Sequence, residues 1–235
     1  MKKLCPLTER LLNVAQAVPK CSLLADIGTD HAYIPIYLVQ KGIAERAVAS
    51  DVVKGPAMRA ERNIAEYGLS HKIKVQIADG LNCVYGADVI IIAGMGGKLI
   101  CDILKQGMLA AKAAGTIVLQ PMTAVYEVRK FLHSNGFVIT KDTIAKEDDK
   151  LYNIITARKG HESYSQDIYY HIGKLTIDHN DPLLPEYIAK KVHSFDVMLE
   201  NMANSQDIDV IIKRREIAEL REQFLKAGED IGIGK

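Results

Sequence analysis

The sequence predicts an α/β protein, with a doubly wound and mostly parallel sheet that ends in an antiparallel hairpin and is followed by a helical C-terminal domain. Three observations support this prediction. Apolar, β-branched runs of strand length alternate with segments of helical spacing through residue 135. Two further strand-like runs then follow without room for a helix between them. Beyond residue 160, apolar residues recur at spacings of three and four.

The composition is that of an ordinary globular protein, with 48% hydrophobic and 25% charged residues among 235. This length suffices for one large domain, or for a domain with an appendage. No apolar run approaches the ~20 residues of a membrane-spanning helix, so we expect the protein to be cytoplasmic. Cys5, Cys21, Cys83 and Cys101 are widely spaced, which predicts reduced thiols and no metal site.

Charge divides the chain near residue 160. Residues 1–160 hold 21 lysines and arginines against 15 acids, whereas residues 161–235 hold 9 against 14. We therefore predict a basic first domain over 1–160 and an acidic helical domain over 161–235. The basic surplus suits a polyanionic partner, although solvated surfaces commonly carry similar surpluses.

Strand-like and helix-like segments alternate in the first domain. The predicted strands are Leu23–Ile27, Ala47–Ala49, Ile73–Ile77, Val89–Ala93, Thr116–Leu119, Phe137–Thr140 and Tyr152–Ala157. The predicted helices are Thr8–Ala17, Ala32–Lys41, Lys54–Tyr67, Lys98–Gln106 and Ala124–Asn135. Such alternation is typical of a doubly wound sheet.

The last two strands break this rhythm. Only the polar stretch Ala145–Lys150 joins them, which is too short for a crossover helix, so an antiparallel hairpin is expected at the sheet edge. A parallel sheet with this ending resembles the S-adenosylmethionine-dependent methyltransferase fold more than that of a dinucleotide dehydrogenase. An ordinary edge decoration is the alternative interpretation.

The C-terminal segment carries two apolar stripes of helical period. Their members are Leu184, Ile188, Val192, Phe195, Leu199 and Met202, and then Val210, Ile217, Leu220 and Phe224. They predict two long antiparallel helices, preceded by a shorter helix around Ile168–Leu175. Basic clusters at Lys190–Lys191 and Lys213–Arg215 are either phosphate contacts or solvated helix faces.

Acids close the first three strands. Asp26 and Asp30 follow the first strand, Asp51 follows the second, and Asp79 follows the third. In open α/β sheets the ligand lies beyond the carboxyl ends of the strands. Any one of these acids could instead be a helix N-cap, but three consecutive strand ends favour a ligand site.

A pyrophosphate would be repelled by these carboxylates, whereas S-adenosylmethionine carries a sulfonium, an ammonium and no phosphate. Asp26 or Asp30 is predicted to bind the ammonium, and the amides around Gly28 and Thr29 to receive the carboxylate. The rest of the predicted cofactor site is Asp51 with Val52 at the ribose, Asp79 with Gly80 at the adenine, and Gly94 in the fourth strand-end loop.

The loop Gly94–Gly97 offers backbone groups and the flexible side chain of Met95 to a substrate, with a tight strand-to-helix turn that makes no substrate contact as the alternative. A ring nitrogen such as N1 of adenine already has a free lone pair, so its methylation needs alignment and exclusion of water more than a general base. Asp30 is predicted to stabilise the cationic product. His31 is expected to order its loop, with a catalytic role as the alternative.

Six motifs together resemble one family. They are L-T-E-R-L at 7–11, A-D-I-G-T-D-H-A-Y-I-P at 25–35, A-S-D-V-V-K-G-P at 49–56, A-D-G-L at 78–81, I-I-A-G-M-G-G at 91–97 and L-Q-P-M at 119–122. This set is similar to the bacterial tRNA (adenine-22-N1)-methyltransferases. The resemblance implies a Rossmann-like catalytic domain, an appended helical coiled-coil domain, S-adenosylmethionine as methyl donor, and N1 of an adenine in the tRNA D-loop region as acceptor.

A tRNA substrate must offer its base out of the stack, which favours aromatic platforms. Tyr33 and Tyr126 are the candidates, each with a core position as the alternative. The predicted phosphate contacts are Lys98, Arg129 and Lys130, and Gly96 and Gln120 complete the predicted RNA-contacting set.

Two other functions stay open from the sequence alone. A dinucleotide-dependent oxidoreductase would use Asp51 at the NAD ribose equally well. A noncatalytic RNA-binding module would keep the cofactor as a structural ligand, since no proton-transfer residue stands out. With four Phe and no Trp, the chain shows no large aromatic patch, so a monomer is predicted.

Overall fold

The computed structural model describes residues 3–82, 84–230 and Gly232. They form two compact units, one that ends at Ser163 and one that begins at Tyr164. Cys5, Cys21 and Cys101 are free thiols, and burial raises the pKa of each. Cys83 lies outside the described residues. Within the described ranges, no helix is long and apolar enough to cross a membrane.

A seven-stranded sheet organises the first unit, with the order β3-β2-β1-β4-β5-β7-β6. The strands are β1 Cys21–Ile27, β2 Ala44–Asp51, β3 Ile73–Ile77, β4 Val89–Gly96, β5 Thr116–Thr123, β6 Phe137–Glu147 and β7 Lys150–Lys159. The first five are parallel, and β7 runs antiparallel to both neighbours. The predicted mostly parallel sheet is confirmed, and its chain order reverses between β1 and β4, where α/β sheets form a ligand crevice.

Six helices accompany these strands in the part of the first unit that the structure describes. They are α1 Glu9–Gln16, α2 Tyr33–Gln40, α3 Lys54–Glu66, α4 Gly97–Gln106, α5 Met108–Ala113 and α6 Val125–Ser134. The helix α1 begins after Thr8, whose hydroxyl accepts a hydrogen bond from the Leu11 amide at 3.4 Å. The α5 helix, a short continuation beyond Gly107, was not predicted from the sequence.

The central strands are buried on both faces. Leu24 and Ala25 of β1, Ile90–Ile92 of β4 and Ile117–Leu119 of β5 are all fully buried. Parallel strands covered by helices on both sides show such continuous apolar burial. Polar groups of these strands are therefore concentrated at the strand ends.

The terminal hairpin is longer than predicted. The stretch Ala145–Lys150, which we expected to be a connection, pairs as strand, with Ala145 opposite Tyr152 and Glu147 opposite Lys150. Only Asp148 and Asp149 form the turn, and Asp148 adopts φ 52°. Polar residues are tolerated in these strands because the hairpin lies at the sheet edge, and aspartate accepts the left-handed turn conformation.

A buried ion pair joins α6 to β6. The Arg129 guanidinium donates to both carboxylate oxygens of Asp142, from Nε at 2.7 Å and from Nη2 at 3.1 Å. Both side chains are 0% exposed. The predicted contact between Arg129 and tRNA phosphate is therefore wrong, because the guanidinium is enclosed in the domain and already paired.

The second unit is helical. Its helices are α7 Ile168–Ile172, α8 Lys174–Asp178, α9 Leu184–Asn201 and α10 Ile208–Asp230. The α9 and α10 helices are antiparallel, because Phe195 lies 5.3 Å from Phe224 between ring centroids while Ala203 accepts from Arg214 at 2.9 Å. The predicted single helix at 168–175 is divided at Gly173, which has φ 103°.

The Arg129–Asp142 pair yields a stability prediction. Arg129→Met should lower the free energy of unfolding by about 3–5 kcal/mol, because it leaves a buried carboxylate without its charge partner. Lys130→Met, at the neighbouring half-buried position, should change it by less than about 1 kcal/mol. Urea denaturation measures both values, and equal values for the two variants would contradict the structural role of Arg129.

Candidate functional site

The loop after β1 is tied to the end of β2. Gly28 has φ 69°, and the amides of Gly28 and Thr29 both donate to the Ser50 carbonyl, at 2.8 and 2.9 Å. These two N–H groups are thus occupied within the protein. The prediction that they receive a ligand carboxylate is wrong, because both already donate to a backbone carbonyl of the neighbouring strand β2.

Asp26 ends β1 as a buried acid. Its side chain is 4% exposed, and its Oδ2 accepts the Thr29 hydroxyl at 2.6 Å. Burial raises the pKa of Asp26 to about 6, against the lowering effect of the Thr29 hydrogen bond, and the nearby Asp51 carboxylate raises it further. Oδ1 has no hydrogen-bond partner in the described part of the chain. Asp26 therefore offers Oδ1 as a hydrogen-bond acceptor at the carboxyl end of β1.

The acids of β2 and β3 follow along the same edge. Asp51 accepts from the Val53 amide at 3.0 Å and from the Asp30 amide at 3.4 Å. Val52 is 63% exposed beside it. Asp79 is exposed, and Gly80 beside it is buried with φ 55°. Because β1, β2 and β3 are parallel and are consecutive neighbours in the sheet, these predicted cofactor residues lie together at the carboxyl ends of the strands.

The glycine-rich segment after β4 is more regular than predicted. The strand continues to Gly96 with register shifts on either side of Met95. A Cβ atom on Gly28 would lie 2.0 Å from Met95 Cε, so the missing side chain at residue 28 makes room for Met95. The two segments are thereby in direct contact. Gly96 directly precedes α4, and Thr123 of β5 lies beside it.

Gln120 is fully buried, so the prediction that it contacts RNA is wrong. Its Oε1 accepts two hydrogen bonds, from Arg10 Nη1 at 2.7 Å and from the Gly94 amide at 3.1 Å. Its Nε2 donates to the Pro121 carbonyl at 3.2 Å. The Gln120 side chain therefore connects α1 to the glycine-rich segment Gly94–Gly97 through hydrogen bonds.

Arg10 is a site residue that sequence analysis missed. Besides Gln120, its Nε lies 3.5 Å from a Glu147 carboxylate oxygen, and the guanidinium lies 5.5 Å from the centroid of the Tyr152 ring. Gln120 and Glu147 lie more than 100 positions from Arg10 in the sequence. Arg10 belongs to the motif L-T-E-R-L, but local sequence spacing does not show which residue of this motif lies at the carboxyl ends of the strands.

A charged and aromatic cluster forms the rim. The Asp30 carboxylate is half-exposed and lies 2.6 Å from Arg59 Nη2 and 3.4 Å from His31 Nε2. The His31 ring is stacked on Tyr33 with centroids 5.1 Å apart. The Asn63 side-chain amide donates to the backbone carbonyl of residue 31 at 2.9 Å, a hydrogen bond that does not involve the imidazole. Sequence analysis also missed Arg59, since its partner lies on another helix-strand unit.

A cleft of about 310 Å³ opens between these elements. Arg10, Asp26, Gly28, Tyr33 and Gly94 line it, among others. An acid and a guanidinium in one cleft, with the nearby loop amides already occupied, fit a ligand that carries both an ammonium and a carboxylate better than a pyrophosphate. A cavity of about 460 Å³ in the second unit contains none of the strand-end residues.

The remaining predicted RNA contacts lie on the helices that follow β4 and β5. Lys98 is exposed at the start of α4. Tyr126 and Lys130 are half-buried on α6, with Lys130 Nζ 4.7 Å from the Tyr126 ring centroid. Within the described ranges, no group of three or more His, Cys, Asp or Glu side chains could hold a metal ion.

Comparisons with known proteins give the fold a family context. A family model described as a methyltransferase domain matches residues 7–155. The tRNA (adenine(22)-N(1))-methyltransferase of Bacillus subtilis (strain 168) is 36% identical over 163 residues, which cover 68% of each chain.

Two solved structures are similar over most of the chain. The crystal structure of the B. subtilis M1A22 tRNA methyltransferase TrmK has a TM-score of 0.86 at 28% identity and covers 95% of this chain and 99% of that chain. Streptococcus pneumoniae Sp1610, solved in complex with S-adenosyl-L-methionine, has a TM-score of 0.85 at 30% identity, with coverage of 94% and 99%. The fold is therefore a Rossmann-like methyltransferase fold.

The buried acid gives a prediction for the ligand-free protein. Between about pH 4 and pH 6, folded Asp26 keeps a proton that the unfolded chain releases, so the free energy of unfolding falls as pH rises through this window. The pKa difference corresponds to about 3 kcal/mol at most. Asp26→Asn keeps the acceptor for Thr29 and removes the charge, so it should be more stable than wild type above pH 6.

The measurement is chemical denaturation of wild type and Asp26→Asn at intervals between pH 4 and pH 8. The stability difference should widen up to about pH 6 and then stay constant. Val52→Ala, at an exposed residue without a titratable group next to Asp51, should show no such widening. A difference that does not vary with pH would show that burial does not disfavour the Asp26 charge.

Proposed function

The chain belongs to the family of tRNA (adenine-22-N1)-methyltransferases, and on that basis we propose that its cleft binds S-adenosyl-L-methionine and that the protein methylates N1 of an adenine in tRNA. The observation that carries this proposal is the buried Asp26 carboxylate, with one unused oxygen, at the point where the strand order reverses. A buried acid of this kind binds a cationic ligand group and is unsuited to a phosphate.

The two acids of the first loop take different roles in this proposal. Asp26 forms the floor of the cleft and binds the cofactor ammonium. Asp30 is at the rim, where it faces the incoming base and, together with Tyr33, stabilises the positive charge of the methylated ring. Asp51 accepts the ribose hydroxyls, and Val52, Asp79 and Gly80 border the adenine of the cofactor.

S-adenosyl-L-methionine supplies an electrophilic methyl group on its sulfonium. The neutral adenine N1 has a lone pair, so the protein's task is to align the base and to exclude water rather than to remove a proton. Gly94, Met95 and Gly96 form the wall for this alignment. The backbone of these residues lies close to the loop after β1, because Gly28 has no side chain and leaves room for Met95.

Capture of tRNA involves residues outside the cleft. We place the stacking of an extruded base on Tyr33 and Tyr126, and phosphate contacts on Lys98 and Lys130. The helices of 161–235 pack as a coiled coil in this proposal, and the protein acts as a cytoplasmic monomer without a metal ion. The antiparallel contacts of α9 and α10 support the coiled coil.

A dinucleotide-dependent oxidoreductase is not favoured. Its pyrophosphate would need free amides in the loop between β1 and α2, but Gly28 and Thr29 of that loop donate theirs to Ser50. A noncatalytic RNA-binding module is distinguished by the activity measurement described next.

Methyl transfer should occur at one position of tRNA. Unmodified tRNA with adenine at position 22, treated with protein and labelled S-adenosyl-L-methionine, should yield N1-methyladenosine at that position by nucleoside mass spectrometry and mapping. A transcript with guanine at position 22 is the control and should remain unlabelled. Label at another position, or binding of both ligands without transfer, would overturn the proposed reaction.

Phosphate contact by Lys98 predicts a salt effect. Lys98→Ala should weaken tRNA binding and reduce the slope of log affinity against log salt by about one, while the affinity for S-adenosylhomocysteine stays unchanged. Lys105→Ala, at an exposed lysine near the other end of α4, is the matched control. The same slope for wild type and Lys98→Ala would exclude Lys98 from the phosphate contacts.

A further inference from the structure

A second cavity lies beside the cleft, with a volume of about 400 Å³. We call it the α3 pocket, and its lining includes Pro6, Leu7, Tyr33, Asn63, Glu66 and Tyr67. These residues belong to the segment before α1, to the start of α2 and to the end of α3. Tyr33 also lines the cleft that contains Asp26. A ligand larger than the cleft can therefore extend past Tyr33 into the α3 pocket.

Hydrogen bonds fix the walls of the α3 pocket. The Cys5 amide donates to Gln40 Oε1 at 2.8 Å, and Gln40 Nε2 donates to the Lys3 carbonyl at 3.1 Å. These two bonds hold the segment before α1 against α2. On the opposite wall, Asn63 Nδ2 donates to a backbone carbonyl of the loop after β1 at 2.9 Å. A pocket with walls held in this way binds a ligand with little cost of ordering.

The chemistry of the α3 pocket suits a nucleobase better than a phosphate. Tyr33 and Tyr67 offer aromatic surface, and burial and the adjacent Cys5 raise the pKa of the Tyr67 phenol, which stays neutral. The Glu66 carboxylate and Asn63 Oδ1 are hydrogen-bond acceptors. Among the described residues that line the pocket, none is a lysine, arginine or histidine. Phosphate is bound by cationic or N–H donors, whereas the exocyclic amino groups of adenine, guanine and cytosine donate to such acceptors.

An RNA strand supplies such a base next to the one that reacts. Extrusion of a base from the stack removes one stacking partner from each of its neighbours. Proteins commonly bind unstacked RNA bases on aromatic side chains and by hydrogen bonds to the base edges. Tyr33 is common to the cleft and the α3 pocket, so two consecutive bases can be accommodated on either side of this one ring.

We propose that the α3 pocket binds the base of a nucleotide directly adjacent to the target adenine in the tRNA strand. Tyr67 provides the stacking surface, and Glu66 and Asn63 accept hydrogen bonds from the exocyclic amino group of that base. This inference rests on the proposed function and adds a second base-binding site to it. The bound neighbour holds the strand on both sides of Tyr33, which keeps the target adenine out of the stack.

The test combines a protein variant with a modified tRNA. Fluorescence anisotropy measures the affinity of the full chain for intact tRNA and for two tRNAs that are abasic at the nucleotide before or after position 22. Tyr67→Leu should weaken the binding of intact tRNA about tenfold. With one of the abasic tRNAs, wild type and Tyr67→Leu should bind equally, because the base that contacts Tyr67 is missing. A ratio of about tenfold that persists with both abasic tRNAs would overturn the proposal.

Glu66 provides a test in which the direction of the effect is decisive. Glu66→Ala should weaken tRNA binding about threefold or more, because the amino group of the bound base loses its acceptor. Glu61→Ala removes the same charge from an exposed position of the same helix and is the matched control. It should leave the affinity unchanged or raise it, since acids repel the RNA backbone. Higher affinity in both variants would show that Glu66 only repels RNA and would overturn the contact.

Two further measurements separate base binding from packing. Tyr67→Phe keeps the ring and should bind intact tRNA within about twofold of wild type, and all four variants should keep the wild-type affinity for S-adenosylhomocysteine. Weaker S-adenosylhomocysteine binding and a lowered melting temperature in Tyr67→Leu, together with unchanged tRNA affinity in Glu66→Ala, would overturn the proposal in favour of a packing role for Tyr67.

The outcomes also distinguish this inference from the proposed function. If wild type methylates tRNA and the Tyr67→Leu and Glu66→Ala variants bind it as tightly as wild type, only the assignment of the α3 pocket fails. If wild type binds neither S-adenosylhomocysteine nor tRNA, the proposed function fails and the assignment of the α3 pocket fails with it.

Discussion

Double-sided burial of the central strands is the constraint on which the site depends. Because β1, β4 and β5 are covered on both faces, polar side chains in their interiors would be buried away from solvent. Such side chains are therefore concentrated near the strand ends. Parallel direction then gathers those ends at one edge of the sheet. The apolar sequence of the strand interiors therefore determines the location of the chemistry, even though none of those residues takes part in it.

Local pattern was sufficient for the parts of the molecule that depend on chain direction. The strand-helix alternation, the terminal hairpin and the acids at consecutive strand ends follow from spacing and from the rule that ligands lie at the carboxyl ends of strands. The errors concern contacts between distant segments. Arg129 has a charge typical of a phosphate contact, but its buried partner Asp142 lies 13 residues further along on another element. Gln120 directly follows the predicted strand Thr116–Leu119, but β5 continues past it to Thr123 and its side chain faces inward toward Arg10 and Gly94.

The Gln120 side chain couples the two halves of the site. One amide oxygen accepts from Arg10 on α1 and from the backbone of Gly94 on β4. Both donors line the cleft, and in the proposed reaction the second belongs to the wall beside the target base. The orientation of one buried amide thereby helps to position both α1 and the glycine segment, and the Pro121 carbonyl accepts a hydrogen bond from the nitrogen of that amide.

The contact between Gly28 and Met95 has a consequence for sequence divergence. The space that a side chain at residue 28 would occupy is filled by the end of Met95, and φ 69° at residue 28 further disfavours any other residue there. The end of the flexible Met95 side chain can rotate away from a larger residue at position 28, so the φ of 69° is the stronger constraint on that position. Substitutions at position 95 are therefore expected to be tolerated while position 28 remains glycine, even though the two residues are in contact.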